Sequence, residues 1–201
     1  MPPASVVAAQ APDTRHALVE AATEMVQTRG FCAFSYRDLA ERIGIRTASI
    51  HYHFPSKENL GVAVVVAMRD RLHGAWAQLE SAHPQVDGRL RALFNYVKEV
   101  AAFGDRICPM GSLQAEFAAL PGEVQRALAD FSEEYAAHYA RWLDEGRRAG
   151  QLTFLGSPRA MAIVMISCMQ AVLQRHRSNP KEDAGEALDQ MLLLLGVRSS
   201  P

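Results

Sequence analysis

The chain has 201 residues with 21 basic and 22 acidic side chains, so its net charge at neutral pH is close to zero. This length supports one domain or two small ones, and the balanced charge gives no overall positive field that would by itself indicate a nucleic-acid-binding protein. The three cysteines are far apart and lack the spacing of metal ligands, so we expect neither a disulfide framework nor a metal or cofactor. The sequence shows no apolar run long enough to span a membrane and no signal peptide, so we expect a cytoplasmic protein without a membrane partner.

Helical periodicity begins near residue 13, and no strand-like alternation or internal repeat follows. Residues 1–12 are small and rich in proline, which predicts a disordered N-terminus. Asp13 or Thr14 is predicted to cap a first helix that runs to Arg29. The second begins at Tyr36, with Ser35 as its N-cap.

The stretch from Tyr36 to Lys57 predicts a helix-turn-helix. Leu39, Ala40 and Ile43 form the apolar face of its first helix. Gly44 ends that helix because glycine adopts the left-handed conformation without a Cβ penalty. The second helix carries hydroxyl and imidazole groups that suit the major groove and its phosphates. The residues predicted to contact DNA are Arg37, Arg46, Thr47, Ala48, Ser49, His51, Tyr52, His53 and Lys57. An αα-hairpin with polar surface residues is the alternative.

The segment from Gly44 to Leu60, GIRTASIHYHFPSKENL, resembles the DNA-binding signature of the TetR family of transcriptional repressors. The resemblance covers roughly residues 14–60. His51 departs from it, since many members carry tyrosine there, and we expect this difference to affect the preferred DNA target. The resemblance implies a homodimer that binds double-stranded operator DNA and a body that binds a small-molecule effector.

A long helix is predicted over 57–82, with Ser56 as its N-cap and an apolar residue at every fourth position. This helix would connect a DNA-binding head at 13–58 to a ligand-binding and dimerisation body at 59–201. Further helices are predicted to end near Gly104, to span Ser112 to Leu120, to reach Ala149 and Arg177, and to contain Leu188 to Leu195. The fold class is therefore all-α with about nine helices, a three-helix head and a helical body.

The last two helices are apolar on more faces than one contact within the chain needs, which predicts a partner chain. In proteins of the TetR family the corresponding helices form a four-helix dimer bundle. The candidate dimerisation residues are Val172, Leu188, Met191, Leu192 and Leu195.

Cys108 lies in a segment broken by glycine and proline, at the start of a short predicted helix. The helix dipole and Arg106 would favour its thiolate, which predicts a lowered pKa and a sensing role. The segment 107–116 is similar to a subgroup of TetR regulators, some of which respond to reactive or unsaturated small molecules through a cysteine at this place. Simple packing of Cys108 is the alternative. Cys32 and Cys168 are interpreted as packing residues.

Several aromatic and methionine side chains are candidates for the lining of an effector cavity, with core packing as the alternative for each. They are Trp76, Phe103, Phe117, Tyr135, Tyr139, Trp142, Met165 and Met169.

An enzymatic interpretation would use His138 and Glu134, four residues apart, as an acid/base pair. No nucleotide loop, metal spacing or nucleophile motif accompanies this pair, so we expect no catalysis. The sequence thus favours a homodimeric repressor released from DNA by a small-molecule effector or cysteine modification; a helical protein-interaction module is the alternative.

Overall fold

A computed structural model describes residues 13–102, 104 and 106–197, and the regular secondary structure in this part of the chain consists of helices. It contains nine α-helices and one short 3₁₀ turn, Phe117–Ala119. The helices are α1 Thr14–Arg29, α2 Tyr36–Ile43, α3 Thr47–His53, α4 Lys57–Ala82, α5 Val86–Ala102, α6 Pro109–Ala115, α7 Gly122–Arg148, α8 Pro158–Ser178 and α9 Ala184–Leu194. The prediction of an all-α fold with about nine helices is confirmed. The prediction for residues 1–12 lies outside the described residues.

The helix ends in the N-terminal part follow from local sequence chemistry. Ser35 caps α2 through a reciprocal pair of bonds with Asp38, and Ser56 caps α4 in the same way with Asn59. Gly44 follows α2 in the left-handed conformation, with φ of 71°. Gly44 therefore fixes the turn between α2 and α3, while the two serines fix where α2 and α4 begin.

The head, formed by α1, α2 and α3, is built around side chains that are fully buried, such as Leu18, Leu39 and Ile50. Phe31 and Phe34 close this core in an edge-to-face contact with ring centroids 5.8 Å apart. The same hydrophobic cluster continues into the body through residues of α6 and α7. The head is thus packed against the body as well as joined to it by the chain.

Helix α4 runs from the head into the body, where it packs on α7. At Gly61 the two helices approach so closely that a Cβ atom would lie 2.7 Å from Val124 Cγ2 and 2.9 Å from Phe31 Cζ. A glycine is therefore required where α4, α7 and the head meet. Further along, Trp76 of α4 enters a second core that is shared by α5, α7, α8 and α9.

One predicted element differs from the structure. The short helix expected from Ser112 to Leu120 begins instead at Pro109, because proline fits the first turn of a helix, where an N–H is not needed. It ends at Ala115, and the chain continues into the 3₁₀ turn. None of the helices in the described part of the chain has the length and apolar character needed to cross a membrane.

Candidate DNA-binding face and ligand cavity

Helix α3 presents almost all of its side chains to solvent. Only Ile50 is buried, and Tyr52 is 84% exposed. Ala48, Ser49 and His51 are exposed as well, while Thr47 and His53 are half-buried. A short helix held by a single buried anchor leaves its remaining faces free, which is the arrangement needed for insertion into a DNA groove.

The head holds this helix in a fixed orientation. The Tyr36 hydroxyl donates to the carbonyl of Phe54, immediately after α3, at 2.9 Å. Burial raises the pKa of Tyr36 to about 12, so this donor stays protonated at all physiological pH values. The Tyr36 ring also meets the His51 imidazole edge-on at 4.9 Å. Arg37 lies in the first turn of α2 and Arg46 is the N-cap of α3, and both are exposed without an ion pair within the described residues.

The structure gives Lys57, which was predicted to contact DNA, bonds within the head. Its ammonium donates to the carbonyl oxygens of Phe31, at 2.6 Å, and of Phe34. It also lies 4.6 Å and 4.5 Å from the centroids of the same two rings. Burial lowers the pKa of Lys57. The side chain therefore joins the start of α4 to the loop between α1 and α2, which the sequence pattern does not reveal.

A cavity of about 290 Å³ lies between α1, α4, α5, α7, α8 and the segment that leads into α6. Among the predicted effector residues, Cys108, Tyr135, Tyr139 and Met169 line it. Sequence reasoning missed most of the other lining residues, among them Tyr96, Phe131 and Gln170. Tyr96 lies at the mouth of the cavity, where it is 63% exposed.

The remaining effector candidates lie elsewhere. Trp142 and Met165 are buried in the body core and are not part of the lining of this cavity. Phe117 is 41% exposed in the 3₁₀ turn and does not line the cavity either. Trp76 lines a different depression on the other side of α4 and α7. Phe103 lies outside the described residues.

The expected lowering of the Cys108 pKa is contradicted. Cys108 precedes α6 as its N-cap, but burial raises the pKa of the thiol, and hydrogen bonds from the backbone of Gly111 and Met110 and from Gln170 offset this only in part. The pKa of this thiol is therefore raised even though Cys108 lies at a helix start, because burial disfavours the charged thiolate. Cys32 in the head is exposed, whereas Cys108 and Cys168 are half-buried.

The depression on the other side of α4 and α7 contains the proposed acid/base pair, but the pair is not formed. Glu134 contacts His73 of α4 instead. His138 stacks on the Trp76 ring with centroids 3.6 Å apart and accepts from Arg141 through Nδ1 at 2.6 Å. Burial, assisted by the Arg141 charge, lowers the pKa of His138 to about 4. This histidine is a neutral packing residue at pH 7. No group of three or more potential metal ligands converges within the described part of the chain.

Most of the predicted dimerisation residues point into the core of the chain itself. Val172, Leu188, Met191 and Leu195 are at most 6% exposed, and Leu192 is half-buried. The outer surface of the same two helices instead exposes Ile163, Val164, Leu193 and Leu194, which are 48–58% exposed. The surplus apolar surface exists, but on faces turned away from the residues chosen from the sequence.

The segment next to the cavity is bonded directly to the head. The Glu116 carboxylate accepts from the backbone N–H of Phe31 at 2.6 Å and of Cys32 at 3.2 Å. The buried Ser112 hydroxyl donates to the carbonyl of Val26 at 2.8 Å. On the far side, Arg177 of α8 donates to the carbonyl of Thr28 at 2.9 Å. We call these contacts around the end of α1 the head–body junction.

Comparison with known proteins agrees with this architecture. A family model described as "Bacterial regulatory proteins, tetR family" matches residues 18–64, and another, "Tetracyclin repressor-like, C-terminal domain", matches residues 88–191. The second match alone covers more than half of the chain. The chain belongs to the TetR family. It is a helix-turn-helix transcriptional regulator of that family, and the region that matches the N-terminal family model contains α2 and α3.

Full-length relatives of this TetR-family chain include two repressors. The HTH-type transcriptional repressor DhaR of Mycobacterium sp. (strain GP1) is 25% identical over 188 residues, which is 93% of this chain and 92% of DhaR. The HTH-type transcriptional repressor NemR of Escherichia coli (strain K12) is 27% identical over 184 residues, 88% of this chain and 90% of NemR. A TetR-family regulator from Agrobacterium tumefaciens, 26% identical, superposes with a TM-score of 0.84 over 90% of this chain and 96% of its own.

Proposed function

We propose that this TetR-family regulator represses transcription as a homodimer, that α3 of each subunit contacts operator DNA, and that a small molecule in the cavity beside Cys108 releases it. The observation that carries the proposal is the bonded path between cavity and head. The segment that contributes Cys108 to the cavity continues into Ser112 and Glu116, which bind the backbone at the end of α1 and just after it. A ligand that moves this segment acts on the base of the DNA-binding head.

We assign the DNA contacts to the residues of α3 and to Arg37 of α2 and Arg46 at the start of α3, whose guanidinium groups form no ion pair within the described residues. Arg37 and Arg46 are suited to phosphates, whereas Tyr52, the most exposed aromatic side chain of the head, is suited to base edges or a sugar. His51, Ser49, Thr47, Ala48 and His53 complete the proposed surface. Lys57 is excluded from it because its ammonium is already bonded within the head.

This assignment is tested by measuring the salt dependence of binding to DNA fragments that the protein selects from its own genome. Arg37→Ala should weaken binding to all sequences alike and reduce the salt slope by about one unit. Tyr52→Ala should lower affinity for the selected sequence more than for random DNA. Wild-type affinity in both variants would contradict the docking of α3, and binding without any sequence preference would favour the alternative of a helical interaction module.

For the dimer we propose the outer face of α8 and α9, centred on Ile163, Val164, Leu193 and Leu194. Two recognition helices about 34–36 Å apart can enter successive major grooves on one side of the DNA, so a twofold dimer is the expected DNA-binding unit. Val164→Glu and Leu194→Glu should yield folded monomers in sedimentation measurements. By contrast, Leu188→Glu should unfold the chain, because Leu188 is fully buried within the subunit. A wild-type monomer at micromolar concentration would refute the proposed dimer.

Release by a ligand requires that the ligand favour an arrangement of the heads that differs from the DNA-bound one. Noncovalent binding is the proposed route, because burial keeps the Cys108 thiol protonated. Wild type and Cys108→Ser should therefore respond equally to a noncovalent effector in an operator-binding assay. A response that Cys108→Ser abolishes would instead assign release to modification of the cysteine.

A further inference from the structure

An arginine of the first helix lies beside the end of α3. Arg15 is exposed in the first turn of α1, and its guanidinium lies over the Phe54 ring, 5.1 Å from the ring centroid. Phe54 is the residue that directly follows α3. A guanidinium within about 6 Å of an aromatic centroid is held there by a cation–π interaction. Helix α1 therefore places a positive charge at the C-terminal end of α3.

The position of this charge is fixed because Phe54 itself is fixed. Phe54 is only 2% exposed, so its ring is enclosed by the head. Its N–H donates to the carbonyl of Ile50 at 2.7 Å, and its carbonyl accepts from the Tyr36 hydroxyl at 2.9 Å. A guanidinium that rests on such an anchored ring loses less conformational freedom on binding than one at the end of a free side chain.

The hydrogen-bond donors of this guanidinium are unused. The Arg15 side chain has neither a hydrogen bond nor an ion pair within the described part of the chain. The nearest acidic residue in the sequence, Asp13, uses its carboxylate as the N-cap of α1, where it accepts from the Arg15 backbone N–H at 3.0 Å. Stacking on Phe54 engages the flat face of the guanidinium and leaves the N–H donors around its edge available. Such donors bind anionic oxygens such as those of a phosphate.

Arg15 stands where a charge is needed at the edge of a DNA groove. Helix α3 has seven residues, a length of about 10 Å, and the major groove is about 12 Å wide. Groups at the two ends of α3 therefore reach the phosphates that border the groove. Arg46 stands at the N-terminal end of α3. At the C-terminal end the Lys57 ammonium is already bonded to the carbonyls of Phe31 and Phe34, whereas Arg15 is free to bind.

We propose that Arg15 of α1 binds a DNA phosphate and supplies the positive charge that Lys57 does not supply at the C-terminal end of α3. This inference rests on the proposed function, in which α3 enters the major groove. A phosphate contact fixes the position of the protein on DNA and carries no base information. Arg15 therefore sets how tightly the head is held on DNA, while the residues of α3 set which sequence it prefers.

The test measures the salt dependence of DNA binding by the full-length protein, with the genomic fragments that it selects and with random DNA of the same length. Arg15→Gln removes the charge and keeps part of the apolar stem. It should weaken binding to both kinds of DNA alike and reduce the salt slope by about one unit for each subunit that contacts the DNA. Arg15→Lys keeps the charge and should keep the wild-type slope.

Arg69→Gln is the matched control. Arg69 is also exposed, but it lies on α4 about 18 Å along the helix from Lys57, away from α3. Its substitution removes the same charge and should leave the salt slope unchanged. A reduction of the slope in Arg69→Gln as large as that in Arg15→Gln would overturn the proposal, because the effect would then follow from net charge alone.

Packing on Phe54 without a phosphate contact gives a different result. Thermal unfolding of each variant is measured beside the titrations, and Arg15→Gln should lose salt slope while it melts close to the wild-type temperature. A wild-type slope in Arg15→Gln would overturn the proposal. So would a slope in Arg15→Lys as low as that in Arg15→Gln, or a loss of preference for the selected fragments at unchanged slope.

A second measurement needs no variant and applies even if Arg15→Gln folds poorly. Phenylglyoxal modifies exposed arginines, and peptide mass spectrometry gives the extent of modification at each one in the wild-type protein. The selected DNA should protect Arg15 and leave Arg69 as reactive as in the free protein. Equal modification of Arg15 with and without DNA would overturn the proposal.

Failure of this inference is distinguishable from failure of the proposed function. Arg37→Ala and Tyr52→Ala are measured in the same titrations. If they weaken binding as expected and Arg15→Gln does not, the docking of α3 stands and Arg15 is a packing residue. If the wild type binds no DNA, the proposed function and this inference both fail.

Discussion

Glu116→Ala removes the carboxylate that links the segment after α6 to the head. In the wild type this carboxylate accepts from the N–H of Phe31 at 2.6 Å and of Cys32 at 3.2 Å. Cys32 is exposed, so its N–H can bond to water after the substitution, whereas Phe31 is 2% exposed and its N–H is left without a partner. Leaving a buried donor unsatisfied costs roughly 1–3 kcal/mol.

A loss of about 2 kcal/mol corresponds to a decrease in Tm of about 4–8 °C for a chain of this size. Thermal unfolding followed by circular dichroism measures this directly, at one fixed protein concentration because the chain is proposed to dimerise. Amide hydrogen exchange adds a local measurement. The N–H of Phe31 should exchange faster in Glu116→Ala, while amides in α7 and α8 should lose less protection.

Two variants serve as controls. Glu123→Ala removes an exposed carboxylate whose ion pair is with Arg126, and it should change the free energy of unfolding by less than about 1 kcal/mol. Glu116→Gln keeps an acceptor oxygen at the same distance from the backbone and should recover most of the loss. If Glu116→Ala melts at the wild-type temperature, or if Phe31 exchange is unchanged, the carboxylate does not hold the head–body junction and this part of the reasoning is refuted.

Three further predictions concern single side chains. Lys57→Met should lower the free energy of unfolding by about 1–3 kcal/mol, because two carbonyls lose their donor, while the salt slope of DNA binding stays unchanged; a reduced slope would return Lys57 to the phosphate contacts. The pKa of His138 is lowered to about 4 in the folded chain. Between about pH 6.5 and pH 4, this histidine therefore binds a proton in the unfolded chain but not in the folded chain. The free energy of unfolding should fall by up to about 3 kcal/mol as the pH decreases through this range. His138→Gln should show a smaller difference in Tm between pH 7 and pH 5 than the wild type, and an equal difference would contradict the assigned pKa. Iodoacetamide should label the exposed Cys32 well before Cys108, whose thiol pKa burial raises, and peptide mass spectrometry that finds Cys108 labelled first would contradict this order.

The sequence alone determined the helices and the helix-turn-helix, because these depend on residues close together in the chain. Ser35 and Ser56 cap the helices that follow them, and Gly44 supplies the left-handed residue between α2 and α3. The apolar residue at every fourth position predicted the inward face of α4, of which Leu60, Val64, Met68 and Trp76 are buried. Period and capping are local properties, so they can be read without knowledge of the neighbours.

The tertiary structure decided which side chains meet. Leu188 and Leu194 lie on the same helix and are of the same type, yet the packing of α9 on α5 and α8 buries the first and exposes the second. Tyr139 and Trp142 of α7 are both aromatic and fully enclosed, but the cavity opens beside the first only. Cys108 shows the same limit, since its position at a helix start suggested a low pKa, whereas its burial by segments distant in sequence raises the pKa. Burial and cavity shape arise from segments far apart in sequence, and no local pattern encodes them.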